Sequence, residues 1–261
     1  MYHISRFNEN RFVTSSQDQT IKIWDAEELR IITTLEVNDY ITVMEVVPTK
    51  FLLAAIGHNS DYFFAWDASE NFAGKECDLV LHEYTDAPIT SIVHLKHHGK
   101  DDQEIVAVSD AKGEVEIWNM GELELEYKAQ VHEKGEIKCL VEIQKGKNKG
   151  CVVTGGDDFT FKLVRLNVYG HSFNVLQSFT TSGPVNCIVE MSENRVCIAE
   201  KNTSQIWDLT KPKKAIKEAT HHSDQIARMI PLDNGEFIFS VGRDQKIILW
   251  NTIDTEAVFE K

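Results

Sequence analysis

TIKIWD, at residues 20–25, is one of five segments in which an apolar run ends in Trp followed by Asp or Asn. The others are YFFAWD (62–67), EVEIWN (114–119), TSQIWD (203–208) and KIILWN (246–251), and together they hold all five tryptophans. Between Trp118 and Trp207 the stretch FTFKLVRL (159–166) puts Val164 where Trp is expected. The positions 24, 66, 118, 164, 207 and 250 are then 42, 52, 46, 43 and 43 residues apart. Self-similarity at ~40–45 residues marks a unit that cannot bury its apolar faces alone and stacks with copies of itself. The longest interval places an insertion in the third repeat.

Each repeat has the same internal order. A first strand such as ITVMEVV (41–47), ITSIVHL (89–95), IKCLVEI (137–143), VNCIVEM (185–191) or IARMIPL (226–232) leads to a turn and a second strand. FLLAAIG (51–57), EIVAVSD (104–110), CVVTGGD (151–157), RVCIAEK (195–201) and FIFSVGR (237–243) are second strands, and the Trp segment is third. A more polar fourth strand closes the unit. The inner runs are almost continuously apolar, as required when both faces of a sheet are covered, whereas the fourth alternates like a rim strand. The expected fold is all-β: a β-propeller of six four-stranded antiparallel blades, or one part of a seven-bladed or larger array. The repeats span 1–36, 37–84, 85–132, 133–181, 182–221 and 222–261 of a single domain.

Against this frame the chain resembles the WD-repeat family over essentially its whole length. The family places Asp six residues before Trp, with Ser or Thr four residues earlier. Asp18, Asp158 and Asp244 match the first position; Thr14, Thr154 and Ser240 match the second. The last repeat carries a full His–Ser–Asp–Trp set, His222, Ser240, Asp244 and Trp250, which the resemblance implies is a hydrogen-bonded structural chain. Such a chain satisfies buried polar groups and pins a turn. Blades two, three and five depart, with Ser60, Lys112 and Lys201 at the Asp position, so their turns are expected to be less rigidly held.

Composition narrows the function. Net charge is −14, from 41 acidic and 27 basic residues, which makes nucleic acid an unlikely partner because phosphate neutralisation needs clustered Lys and Arg. The basic stretches KGKNKG (145–150) and KPKKAIK (211–217) read as solvated edges. Without an apolar run of ~18 residues or a signal-like N-terminus, membrane insertion and secretion are not expected. The expected location is cytoplasmic, in cytosol or in a cytoskeletal, ciliary or nuclear complex. Cys77, Cys139, Cys151, Cys187 and Cys197 form no CxxC pair and read as small buried hydrophobes.

The chemistry-bearing residues favour a bland reading. His222, Ser240 and Asp244 recur at blade period and have a structural task, which argues against a nucleophilic triad. The segment HLKHHGKDD (94–102) offers His94, His97, His98, Asp101 and Asp102, but as a solvated hairpin it is not expected to converge on a metal. SSQDQTIKIW (15–24) is only superficially similar to a sialidase Asp-box, since Thr20 stands where Gly is needed. No catalytic residue, cofactor or metal is expected. The reading is a non-catalytic protein–protein interaction scaffold within a larger assembly; the alternative is a propeller-fold hydrolase with its active site at a channel mouth.

Protein or peptide partners are expected on the face where fourth-to-first and second-to-third connections meet. Its candidate contacts are Tyr40, Asn59, Asp61, Tyr62, Tyr84, Phe159 and Arg243. Aromatics and Arg are the side chains that carry most interface energy. The first repeat begins inside its innermost strand and the last ends with its own outer strand, so no strand crosses between them. The seam between blades one and six is therefore expected to be weak, and either open or completed by a partner strand, unless further blades follow in a longer chain.

Overall fold

The computed structural model describes residues 3–37, 39–47, 50–56, 61–68, 78–99, 103–192, 194–211, 214–232 and 235–261. Its strands form six four-stranded antiparallel sheets, each strand bonded only to its sequence neighbours. Blade one is His3–Arg6, Arg11–Ser15, Thr20–Asp25 and Ile31–Glu36; blade two is Ile41–Val47, Phe51–Ile56, Tyr62–Asp67 and Leu79–Tyr84. Blade three is Ile89–Leu95, Ile105–Asp110, Glu114–Asn119 and Glu124–Gln130; blade four is Ile137–Glu142, Val152–Gly156, Thr160–Asn167 and Ser172–Thr180. Blade five is Val185–Glu190, Arg195–Glu200, Thr203–Asp208 and Lys217–Ala219; blade six is Ile226–Leu232, Phe237–Gly242, Ile247–Asn251 and Ala257–Glu260. The first strands of all six line one central channel. The extra length does not sit wholly in blade three: part lies at 68–78 within blade two and part in the 96–104 hairpin of blade three.

The blades stack because alternate residues point to opposite faces and both faces are apolar. Val13, Ile21, Ile23 and Leu35 of blade one pack on Met44, Leu52 and Trp66 of blade two. Leu53, Phe63 and Leu81 meet Ile92, Val106 and Trp118 of blade three. Ala107, Val115 and Ile117 meet Leu140, Val152 and Val164 of blade four. Phe161, Leu163 and Phe179 meet Ile188, Val196 and Trp207 of blade five. Cys197, Ala199 and Ile206 meet Met229, Ile238 and Trp250 of blade six. Trp66, Trp118, Trp207 and Trp250, with Val164 in blade four, thus pack against the blade before their own. Carboxylates clamp two of these junctions: Glu142 accepts the backbone N–H groups of Lys96 and His97, and Glu190 those of Gln144 and Lys145.

Among the described residues no buried cluster joins blade six to blade one. Cross-strand register makes the comparison direct. Ile4 lies opposite Thr14, as Met44, Ile92, Leu140, Ile188 and Met229 lie opposite Ala54, Val108, Thr154, Ile198 and Ser240. Those five side chains are between 1% and 6% exposed; Ile4 is 57% exposed. On the other wall, Ile247 opposite Val241 corresponds to Ile21, Phe63, Val115, Phe161 and Ser204. They are at most 3% exposed, and Ile247 is 45% exposed. Trp24 is half-buried where the other four tryptophans are buried. The seam is open on both sides.

Met44→Ala, in a packed junction, is expected to cost ~2–5 kcal/mol. Ile4→Ala, at the equivalent position of blade one, should stay within ~0.5 kcal/mol of the parent. Urea unfolding of the two variants checks the contrast, and equal losses would mean that blade one packs on blade six.

Candidate partner-binding face

The face is built from tight turns between second and third strands. Gln19, Gly113, Phe159, Lys201 and Gln245 adopt φ of 65, 84, 61, 52 and 65°, so four side-chain-bearing residues occupy the left-handed region. Neighbouring carboxylates hold these turns. Asp18 accepts the N–H and hydroxyl of Thr20 at 3.1 and 2.7 Å, and Asp158 does the same for Thr160 at the same distances. In blade three, where Lys112 replaces the expected Asp, Asp110 takes over by accepting the N–H groups of Lys112 and Glu114 at 3.0 and 2.8 Å. That turn is consequently held rather than loosened.

In blade six His222 Nδ1 lies 3.0 Å from Asp244, and its Nε2 lies 2.8 Å from the Ser240 hydroxyl. The ring thus bridges the turn carboxylate and the buried hydroxyl. The set implied by the resemblance stops there: the Trp250 indole N–H is buried with no hydrogen-bond partner among the described residues, and its ring lies 5.8 Å from that of His221. The bond to the hydroxyl position occurs instead in blade one, from Trp24 Nε1 to Thr14 at 2.9 Å. Where that position is Val108 or Ile198, the cross-strand neighbour supplies the acceptor, Glu116 for Trp118 at 3.1 Å and Gln205 for Trp207 at 3.0 Å.

Blade four contains a second such set that the sequence reading passed over. His132 Nδ1 lies 3.0 Å from Asp158 and Nε2 lies 2.9 Å from the Thr154 hydroxyl. A signal for it exists. Gly156 precedes Asp158 by two residues, as Gly242 precedes Asp244, and a Cβ at either glycine would stand 2.5 or 2.4 Å from the histidine Nδ1. A Gly two residues before the turn Asp therefore announces a histidine packed above it.

The candidate contacts separate into three places on this face. Tyr62 and Tyr84 pair across the third and fourth strands of blade two, with ring centroids 5.5 Å apart and edge to face. His82 lies 5.3 Å from Tyr62 and stacks at 4.4 Å on Phe64, which stacks at 5.6 Å on Trp66. This aromatic ladder climbs from the core to solvent, where Tyr62 and Tyr84 are exposed. Tyr40 is exposed at the entry to the same blade, and the Asp61 carbonyl accepts the Thr85 N–H at 2.8 Å. Phe159 is exposed on blade four and Arg243 on blade six; among the described residues neither touches the ladder. Asn59 and Ser60 lie outside the described residues. A depression of about 460 Å³, lined by Lys138, Pro184, Asn186, Lys201, Asn202 and Asp224 among others, opens on this face and was not anticipated.

The channel, about 360 Å³, carries His3, Glu45, Lys138 and Arg228 on four different blades. Burial lifts Glu45 to about 7, and burial with the nearby Arg228 charge lowers His3 to about 4. Burial also raises the thiols of Cys139, Cys187 and Cys197. Among the described residues no group of three His, Cys, Asp or Glu converges as a metal site. The 96–104 hairpin is not merely solvated. His94 bonds Glu104 at 2.7 Å, His98 bonds the Gly150 carbonyl at 2.6 Å, and the Tyr169 hydroxyl donates to the His98 carbonyl at 3.1 Å, which docks the hairpin on blade four. Asp101 and Asp102 lie outside the described residues. Among those residues no helix is long and apolar enough to cross a membrane.

The family model described as WD domain, G-beta repeat matches residues 4–25 and 213–251. These are most of blade one and the stretch from the end of blade five through the third strand of blade six, where the turn Asp and the following Trp survive together. No curated protein matches the chain.

The polar sets tie stability to pH. Burial lowers the His132 pKa below its ordinary 6.5, only partly offset by Asp158. The unfolded chain then takes up the proton first, so this contribution is complete above about 6.5 and drains as pH falls. Burial alone would raise Asp244, but bonds from His222, Ser223 and Lys246 outweigh it and hold it at about 2. Its contribution is present above the ordinary 3.8 and disappears as pH falls towards 2. Urea midpoints between pH 8 and 5 are expected to decline below about 6.5. His132→Gln, costing ~1–3 kcal/mol at pH 7.5, should flatten that decline. An unchanged slope in the variant would separate His132 from the effect.

Proposed function

We propose that this chain, a WD-repeat β-propeller, is a non-catalytic platform for protein or peptide partners and a subunit of a larger cytoplasmic or nuclear assembly. The observation that carries the reading is the exposed Tyr62–Tyr84 pair at the head of a ladder anchored on buried Trp66. Rigid aromatics held from below lose little conformational entropy when a partner covers them, which is why such side chains dominate interface energetics. Tyr40 and Asp61 extend the patch on the same blade, while Phe159 and Arg243 offer separate contacts further round the ring. A net charge of −14 favours basic segments of a partner and disfavours nucleic acid. The described cysteines are unpaired thiols, in keeping with a reducing compartment. The open seam is, in the same reading, a second place for a partner's strands.

The hydrolase alternative draws less support. Glu45, Lys138, Arg228 and His3 line the channel, but among the described residues no hydrogen bond links Glu45 to the other three. Ser240, the hydroxyl of the blade-six set, is fully buried and so has no access to a substrate.

Replacing Tyr62 and Phe159 together by Ala is expected to weaken at least one partner at least ten-fold, since anchors of this kind contribute about 2 kcal/mol each. The circular dichroism spectrum and melting temperature should match the parent. Quantitative affinity purification from the native source makes the comparison, and retention of every partner by the folded double variant would refute the assigned face.

A further inference from the structure

We propose that the central channel binds a phosphate group, held by Arg228, Lys138, Asn186 and Ser91 from four different blades. This is a second site on the ring, with a ligand chemistry unlike that of the aromatic ladder.

Register fixes which side chains surround the channel. His3, Val43, Ser91, Cys139, Cys187 and Arg228 lie opposite Ser15, Ala55, Ser109, Gly155, Ala199 and Val241, the same step of the first strand in every blade. All six line the channel and so form one tier. In blades three to six the register shifts just before this tier, and the inserted residues are Thr90, Lys138, Asn186 and Ala227. A bulge re-aims its extra side chain, and these four line the channel as a second tier. Lys138 and Asn186 also line the depression on the partner-binding face, which puts the second tier at that mouth of the channel.

The chain carries a net charge of −14, yet among the described residues neither tier holds a carboxylate. Their fixed charges are Arg228 and Lys138. Among the described residues the Arg228 guanidinium has no hydrogen bond or ion pair. Its charge nevertheless acts on His3 in blade one, Cys139 in blade four and Cys187 in blade five, which places it over the channel rather than along an outer wall. The Lys138 ammonium lies 3.1 Å from the exposed Asp157 at the rim. Among the described residues the Asn186 amide and the Ser91 hydroxyl have no partner, and His3 Nδ1 is buried with none. Two carboxylates stand outside the tiers. Glu45 lies two residues beyond Val43, where it accepts the His94 N–H and feels the charge of Lys96. Asp224 borders the depression and accepts the neighbouring Gln225 N–H at 2.6 Å.

Donors that converge without an acceptor make an anion site, and a cleft of one sign concentrates the opposite charge. A carboxylate offers two oxygens in one plane, which a single guanidinium fork already occupies. Here donors approach from blades three, four, five and six, and an anion whose oxygens spread in three dimensions meets them. Phosphate has that shape. The channel, about 360 Å³, houses the group, and the depression of about 460 Å³ above it houses the body that carries it. A small phosphomonoester and a phosphorylated side chain of a partner bring the same chemistry; in the second case the site rests on the platform reading and deepens it.

The isotope-labelled full chain is titrated at constant ionic strength with inorganic phosphate, glycerol phosphate, a phosphoserine peptide and acetate, and its amide shifts are followed by NMR. Saturable shifts are expected with phosphate at residues 91, 138, 139, 186, 187 and 228. Arg228→Gln should weaken binding about ten-fold or more, as loss of a charge-assisted pair requires. Arg228→Lys keeps the charge without the fork and should lose less. Both variants should melt with the parent, because Arg228 is exposed. Tighter binding of the phosphoserine peptide than of glycerol phosphate assigns the group to a partner; peptide binding that is no tighter assigns it to a small molecule. The proposal is overturned if phosphate gives no saturable shift, if binding survives Arg228→Gln unchanged, or if acetate binds as tightly as phosphate. None of these results bears on the Tyr62 and Phe159 double variant, so the channel and the aromatic face fail separately.

Discussion

A four-stranded sheet that is apolar on both faces has no stable existence of its own in water; it must be covered twice. That requirement organises this molecule. It explains why the second strands are almost uninterrupted apolar runs, why the four buried tryptophans pack on the blade before their own, and why the side chains at one register position are buried in five blades out of six. Stability in such an array is close to a sum of neighbour terms. Blades two to five have two neighbours each and blades one and six have one, so the terminal units hold the least.

Burying Trp in a dry junction creates a second constraint, because its N–H must find an acceptor. Trp24, Trp118 and Trp207 meet it at one of two cross-strand positions rather than at one fixed residue, whereas the buried Trp250 N–H finds no acceptor among the described residues. Thr14 serves in blade one; where the hydroxyl has been replaced by Val108 or Ile198, Glu116 or Gln205 on the paired strand serves instead. Blade four removes the donor altogether with Val164, which frees Thr154 to complete the His132 and Asp158 set. Where the middle blades lack the turn Asp or the hydroxyl, a neighbouring side chain supplies the bond. The family model matches residues 4–25 and 213–251, where the turn Asp and the Trp six residues later occur together.

Periodicity made the blades legible: the Trp spacing fixes the count, and alternation within each repeat fixes strand limits to within a residue or two. Information that depends on contact between repeats was not legible. The Glu142 and Glu190 clamps act across junctions, and nothing local distinguishes them from solvated rim glutamates. The docking of the 96–104 hairpin depends on Gly150 and Tyr169, which lie more than forty residues away in the chain. His132 was missed because it stands 26 residues before its Asp, whereas His222 stands 22 before its own. Of the face residues, Tyr62 and Tyr84 share a patch because they are cross-strand partners, a pairing implicit in the hairpin register; Phe159 and Arg243 were grouped with them only by lying on the same side of the ring.

The open seam calls for an account of why it does not close. Packing blade one on blade six would cover Ile4, Ile230, Val241, Ile247 and Phe259. Closure would also turn every blade relative to its neighbours, and the side chains of those junctions are already buried against one another. Phe161, for example, is stacked on Phe179 at 4.3 Å and meets Trp207 edge-on at 5.2 Å, a fit that a change of angle would break. Displaced aromatic contacts and small voids in a core each cost ~1 kcal/mol or more, and the loss would recur at five junctions. The angle between blades is thus set by side-chain packing within each junction and not by the demand that the circle be completed. The remaining arc is left with two apolar walls.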